Sequence, residues 1–348
     1  MPFLPLIGPM AWENLRLCAD RAAAQPRVAF ARIRRHDPRA AVNPLIRVIP
    51  ACLVRFFAKP YVAGDSLAKA MQVVHKLRAE RGLSATLDLL AEGIRTDAEA
   101  RANLDTYLQM VDAAASADLP ADARPTLSLK PSSYTTRPLQ LGGDAAGSLD
   151  AMRQIAQRSA AKGVGLTVDM ESRHWTDFTL DALRTLHREG HRHVGCVLQS
   201  RLHRTEKDLD QLPPGVRVRL VIGIYREPAD VALTDKPAMK DRLLAHAETL
   251  LRRGHFVEFA THDDAYVRRF VEQVVPRVGV GRDRFEIQML YGVPRDRFLA
   301  DLRRQGIRAR LYVPFALGWG MAIQYLRRRL DEYPAMVWLV TKNLLARR

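Results

Sequence analysis

The chain has 348 residues, 47% hydrophobic and 26% charged, which allows one large domain with a small appendage or two ordinary domains, with one main core expected, and excludes a disordered chain. Its formal net charge of +16 comes mostly from arginine and by itself names neither nucleic acid nor lipid as a partner. Cys18, Cys52 and Cys196 stand far apart with no CxxC or Cys/His spacing, so neither a zinc knuckle nor a disulfide framework is expected and a reducing, cytoplasmic setting is favoured.

The opening MPFLPLIGPM is too short and too proline-broken for a signal peptide. The apolar stretch from Ala41 to Val54 is interrupted by Pro44, Arg47 and Pro50, short of the roughly 20 apolar residues a membrane helix needs. Trp12 to Ala24 and Ser66 to Arg81 read as helices; in the second, Leu67, Ala70, Met71, Val74 and Leu77 share one face ahead of Gly82. Residues 1–82 are expected to form an N-terminal helical section.

From Leu83 the pattern changes to short apolar, often β-branched runs that alternate with amphipathic helices. The runs are Leu83–Leu89, Thr126–Lys130, Gly165–Asp169, Val194–Gln199, Val216–Val221, Phe256–Thr261, Arg284–Met289 and Ala309–Val313. Helices between them have recognisable ends, among them a Thr96-x-x-Glu99 capping box and a helix opened by Asp177 that stops at Gly190. Strands apolar on both faces are parallel, and eight successive strand–helix units fit a closed (β/α)8 TIM-like barrel of roughly 250 residues, here spanning 83–348. A doubly wound open sheet is the alternative. Against it, no G-x-G-x-x-G follows the first strand, and the VGVG at 278–281 precedes a strand instead of opening a helix.

In such a barrel the active site lies at the C-terminal ends of the strands. The polar residues there are Lys130, Asp169, Gln199, Thr261, His262, Gln288 and Tyr312. Charges that end apolar runs are costly unless paired, so Lys130 and Asp169 are either a rim ion pair or catalytic groups. Arg219 alternates with Val218 and Leu220; period two makes it a solvent-facing strand residue or a site residue with equal weight. His262, Asp263 and Asp264 together with Asp169, Glu171 and His174 outline a rival metal-dependent hydrolase, but no HxH or HExxH spacing supports it and no metal is expected. Arg327, Arg328 and Arg329 cannot all share one helix face. They read as a solvated basic face or as a clamp, since the guanidinium fork donates two parallel bonds to a carboxylate.

Taken in order, the segments LSLKPS (127–132), LTVDMES (166–172), GCVLQSRLHRTE (195–206), VRLVIGIY (218–225), FATHDD (259–264), FEIQMLYGV (285–293), YVPF (312–315) and YLRRRLDEYP (325–334) resemble the proline dehydrogenase family of flavin-dependent barrel enzymes. YVAGDSL (61–67) and GLSATLDLLAEG (82–93) resemble the family's entry into the first strand. The resemblance implies a final helix laid over the barrel mouth and FAD as cofactor. It implies that Lys130 and Asp169 form the catalytic pair, that Arg219 approaches flavin N5, and that Lys130, Tyr225, Tyr312, Arg328 and Arg329 bind the substrate. Met170, Gln199, Arg219, Val221, Ile222, Gly223, Ile224, Thr261, His262 and Gln288 would contact FAD. The implied reaction is oxidation of L-proline to 1-pyrroline-5-carboxylate by hydride transfer to N5, with electrons passed to quinone.

Where the family usually reads VKGAY, this chain reads VIGIY, so Ile222 replaces a lysine and Ile224 a small alanine. A different cyclic or secondary amine acid is therefore an alternative substrate. The ALGWGMAIQ segment (316–324) is also altered, which leaves Arg327 and Arg328 as an alternative register for the clamp. The basic surface and the apolar, arginine-ended tail Met336–Arg348 suit peripheral contact with anionic lipid at the inner face of a membrane, as well as ordinary helix packing. With no helix-turn-helix, zinc finger or aromatic stacking motif beside the charge, nucleic acid is not an expected partner.

Overall fold

A computed structural model of the protein describes residues 50–51, 54–55, 59–91, 93–225 and 227–332, with the side chains at 324–325 and 328–332 outside that set. The expected helix Trp12–Ala24, the tail Met336–Arg348, Cys18 and Cys52 lie outside the described residues. Eight parallel strands close in sequence order: β1 (Ser84–Leu89), β2 (Thr126–Leu129), β3 (Leu166–Val168), β4 (Val194–Gln199), β5 (Arg217–Val221), β6 (Phe256–Ala260), β7 (Phe285–Leu290) and β8 (Ala309–Phe315). The seam is β8 against β1, in register from Ser84↔Arg310 to Leu89↔Phe315. The open-sheet alternative is thereby overturned, because an open sheet would leave β1 and β8 unpaired with each other.

Before β1 comes α1 (Leu67–Arg81), and the crossovers hold α2 (Asp97–Ala115), α3 (Ser148–Lys162), α4 (Thr176–Arg188), α5 (Thr205–Asp210), α6 (Lys236–Arg252), α7 (Asp264–Arg269), α8 (Val275–Val278) and α9 (Asp296–Arg304). After β8 follows α10 (Trp319–Glu332). The ends obey local chemistry. Ser66 accepts from Lys69 N to start α1, and Gly82, at φ 57°, ends it in a left-handed turn that a side chain would strain. Thr96 and Glu99 form the expected capping box on α2. The fourth helix begins at Thr176 and ends at Arg188, within two residues of expectation.

Two placements position the site. Ala63 N donates to Pro314 O at 2.8 Å and Ala316 N to Gly64 O at 3.1 Å, so the lead-in to α1 starts at the mouth. The helix then runs down the outside, where Ala70, Val74 and Leu77 join the core around β1 and β8. With that slot filled, α10 lies at the mouth: Ala322 packs with Val62, Leu90 and Ala316, and Trp319 and Leu326 cover this small cluster.

The apolar side chains of the strands face the helices and the charged ones face inward. In β5, Val218 and Leu220 are fully buried in the helix-facing core, while Arg217 and Arg219 point into the barrel. Arg219 is 4% exposed. The alternation in this strand is thus between core and barrel interior, and the solvent-facing reading of Arg219 is corrected by closure of the sheet. Inside, the cations Lys130, Arg217, Arg219 and Arg310 are matched by Asp88, Asp169, Glu258 and Glu286 in ion pairs. Such pairs avoid the heavy cost of an isolated buried charge.

Candidate active site

Pro131 follows β2 and turns the chain, leaving Lys130 at the mouth with its ammonium inside. Its Nζ stands 2.5 Å from Asp88 Oδ1, 3.4 Å from Tyr312 Oη and 3.7 Å from Asp169 Oδ2. Asp169, one residue past β3, is held by its own N–H to Leu129 O at 2.8 Å. Its Oδ1 accepts from Ser128 Oγ at 2.6 Å and Arg219 Nη1 at 2.9 Å, and its Oδ2 accepts from Tyr312 Oη at 2.7 Å. Arg219 also donates Nε to Gln288 Oε1 at 2.7 Å and Nη1 to Ser128 Oγ at 2.9 Å, with its Cζ 5.0 Å from the Tyr312 ring centre. Lys130, Asp169, Arg219, Gln288 and Tyr312 thus form one connected cluster spanning five strands.

Electrostatics follow from dryness and pairing. Burial pushes the Asp88 carboxyl up to about 6; Lys130 opposes that rise and Asp169 adds to it. Burial and the neighbouring Asp169 and Asp88 carboxylates drive the Tyr312 phenol well above its usual range. For Arg219, burial works against the charge, but Glu258 and Asp169 outweigh it and raise the group. The guanidinium is a fixed positive charge beneath the mouth.

Around this cluster are buried polar atoms without a hydrogen-bond partner. They include Arg219 Nη2, Gln199 Oε1 and His262 Nδ1. Gln199, ending β4, uses its Nε2 on Glu171 O at 2.8 Å, and Glu171 is itself pinned by Ser132 N at 2.9 Å and Oγ at 2.5 Å. His262 accepts from Leu290 N at 3.4 Å through Nε2, which puts the proton of the neutral ring on Nδ1. Burial, and then Arg295, hold its pKa down at about 4. Gly223 adopts φ 106°, and a Cβ there would stand 2.5 Å from Gln199 Oε1, so the bare backbone is needed beside that oxygen.

The other expected residues lie nearby with less to do in this geometry. Met170 is buried in the main core, Val221 and Ile222 pack against it half-buried, and Thr261 Oγ1 accepts from Asp263 N at 3.2 Å. Ile224 is 52% exposed. Tyr225 is half-buried, and its carbonyl accepts from Arg201 Nη1 at 2.9 Å. Arg328 and Arg329 sit on α10, but their side chains lie outside the described residues.

The metal reading fails on commitment of its ligands. Asp263 caps α7 and pairs with Lys240 at 2.5 Å, Asp264 pairs with Arg295 at 3.0 Å, and Asp169 and Glu171 are used as above. Among the described residues, no three His, Cys, Asp or Glu side chains gather to hold a metal. The sequence reading passed over Asp88, Ser128, Glu258, Glu286 and Arg310. Their signal was polar residues alternating with apolar ones, at Thr86 and Asp88, Thr126 and Ser128, Glu286 and Gln288, and Arg310 and Tyr312, with Glu258 standing alone in its strand.

A family model described as proline dehydrogenase matches residues 70–338. The chain belongs to the proline dehydrogenase family. Proline dehydrogenase of Deinococcus radiodurans is 35% identical over 292 residues, 83% of this chain and 90% of that one. Proline dehydrogenase 2 of Bacillus subtilis strain 168 is 31% identical over 291 residues, 83% and 91% of the two chains. Among solved structures, proline utilization A from Bdellovibrio bacteriovorus inactivated by N-propargylglycine matches with TM-score 0.70 at 20% identity, covering 81% of this chain and 34% of that one. A mutant of Bradyrhizobium japonicum proline utilization A matches with TM-score 0.63 at 23% identity over 89% of this chain and 34% of that one. The chain therefore spans about a third of those structures, and at these identities they establish the barrel fold. As a proline dehydrogenase family member, the protein is an oxidoreductase acting on CH–NH groups.

Proposed function

We propose that this protein oxidises L-proline to 1-pyrroline-5-carboxylate with FAD as its cofactor and a quinone as electron acceptor. The observation that carries the reading is the set of buried, unpartnered polar atoms at the mouth, Arg219 Nη2, Gln199 Oε1 and His262 Nδ1. A buried donor or acceptor left unpaired costs about 1–3 kcal/mol, and of these three Gln199 Oε1 faces the bare Cα of Gly223, while Arg219 Nη2 belongs to β5 and His262 Nδ1 to the turn after β6. Two donors and an acceptor suit a planar group that carries both kinds of site, as the flavin ring does.

When bound, FAD would supply the hydride acceptor. Arg219, with Gln199, Gln288, Thr261, His262 and the 221–224 backbone, would hold it. The residues of the chain do the rest. Substrate arrives as an ammonium acid and must pass one proton to solvent, because the carbon beside nitrogen can give up a hydride only once that nitrogen carries a lone pair. Lys130 and the arginines of α10 would fix the carboxylate, while Asp169 and Tyr312, bonded to each other at 2.7 Å, form the wall beside the amine. Arg219 places positive charge where negative charge develops during transfer. Ile222 packs on the core and Ile224 is half-exposed at the rim, so neither fills the ionic centre and proline remains the leading substrate. The charge of +16 favours docking on an anionic membrane surface, where a quinone would be met.

The test is anaerobic reduction of the flavin-loaded protein by proline, hydroxyproline, pipecolate and N-methylated amino acids. Proline is expected to bleach the flavin band. Bleaching by another of these acids but not by proline would move the assignment to that substrate, and a colourless protein that takes up no FAD would end the flavin reading.

A further inference from the structure

We propose that Asp88 is the residue that positions Lys130, and that the two act on the substrate as one unit; this rests on the reading of the site given above. Two carboxylates lie near the Lys130 ammonium, and they are committed differently. Asp169 gives Oδ1 to Ser128 and Arg219 and Oδ2 to Tyr312, which leaves Lys130 at 3.7 Å. Asp88 takes Lys130 at 2.5 Å. Its side chain is 1% exposed, on a strand whose neighbours Leu87 and Leu89 are buried in the core. It sits beneath Lys130, away from the open mouth, and acts through the lysine instead of touching substrate.

The titratable groups that face Asp88 are Lys130 after β2, Asp169 after β3, Tyr312 on β8, Tyr107 on α2 and Tyr134 in the turn after β2. Lys130 is the cation among them. Without Asp88, the ammonium would turn to Asp169 and compete there with Arg219 and Tyr312. With Asp88, each mouth cation has its own carboxylate, and Nζ is fixed in direction and keeps its charge for an acidic substrate.

The experiment is a double-mutant cycle on the full, FAD-loaded protein with L-proline: Asp88→Asn, Lys130→Met and the pair together, reading kcat and KM separately. Lys130→Met is expected to give the largest loss, and Asp88→Asn at least a roughly tenfold loss in kcat/KM, the scale of one charge-assisted hydrogen bond. The double variant should be no slower than Lys130→Met alone. Asp88→Glu, which keeps the carboxylate, should recover most of the loss; if Asp88→Asn does not fold, Asp88→Ser, which also removes the charge, takes its place in the cycle. Parental kcat/KM in Asp88→Asn, equal losses in the Asn and Glu variants, or losses that multiply in the double variant would each overturn the proposal. Full activity in Lys130→Met is a different failure: it removes Lys130 from the site and defeats the functional reading itself.

Discussion

Arg310 and Arg219 are buried arginines inside one barrel, and they are wired differently. Arg310, near the N-terminal end of β8, uses every nitrogen: Nε and Nη2 grip Glu286 at 2.6 and 3.3 Å, and Nη1 reaches Ala85 O at 2.9 Å and Thr126 Oγ1 at 3.4 Å. Arg219, closer to the mouth, spends Nε and Nη1 on Gln288, Ser128 and Asp169 and keeps Nη2 without a partner. Native interiors satisfy nearly all buried polar groups. The Arg310–Glu286 pair on the barrel floor therefore reads as finished structure, and Arg219 Nη2 as a donor left for something else to complete.

The comparison breaks most sharply at the floor. Glu286→Ala would strand Arg310 as an unpaired buried cation, and breaking such a pair costs about 3–5 kcal/mol. Urea unfolding should show that loss. A second variant that replaces both partners by apolar residues should recover much of it, because the desolvation cost leaves with the charges. If Glu286→Ala unfolds like the parent, the floor is not structural in this sense.

At the mouth the opposite division is expected. Arg219→Met removes the positive charge that the proposed function places beneath the reacting atoms, and loss of one such donor lowers kcat by about 10²–10³. It also frees Asp169, which still has Ser128 and Tyr312 as donors at 2.6 and 2.7 Å, so the unfolding midpoint should move less than in Glu286→Ala. Steady-state dye reduction with proline, read beside urea curves, checks both halves. A variant that loses stability but keeps kcat would assign Arg219 to the floor.

Much of this division was legible in the chain and some was not. The alternation of eight strands with helices was legible because a strand covered on both faces must be apolar along its length, and VGCVLQ (194–199) shows that directly. Lys130, Asp169 and Gln199 stood out because a polar residue at the end of such a run needs a reason. Asp88, Glu258 and Glu286 were passed over because they sit within runs, where period two gives a face without saying what the face meets. Only closure of β8 on β1 makes that face an interior, and only then do the charges in LDL, VEF and FEI become partners. Ile224 shows the same limit: its sequence position is at the mouth, but its half-exposed side chain follows from the backbone turn at Gly223, φ 106°.

The smallest expected effect sharpens the contrast through pH. His262 is held at about 4 by burial and by Arg295, against an unfolded value near 6.5. A depressed histidine is neutral in the folded state, so the unfolded chain binds the extra proton and stability falls as pH drops from about 6.5 toward 4. The full difference is about 3 kcal/mol at the acid end and vanishes above that window. Asp88 runs the other way. Its folded value near 6 exceeds the ordinary 3.8, so its contribution is fully present below the unfolded value and is lost as pH rises through the folded one. Burial also holds His193 and His246 at about 4, so the parent's acid profile carries their contributions too, and only the difference between variant and parent isolates His262. His262→Gln removes that one contribution, so its stability relative to the parent should climb steadily from pH 7 to pH 4 in urea titrations. Parallel curves would mean that His262 meets its proton as easily folded as unfolded, and the mouth would then be wetter than its unpartnered atoms imply.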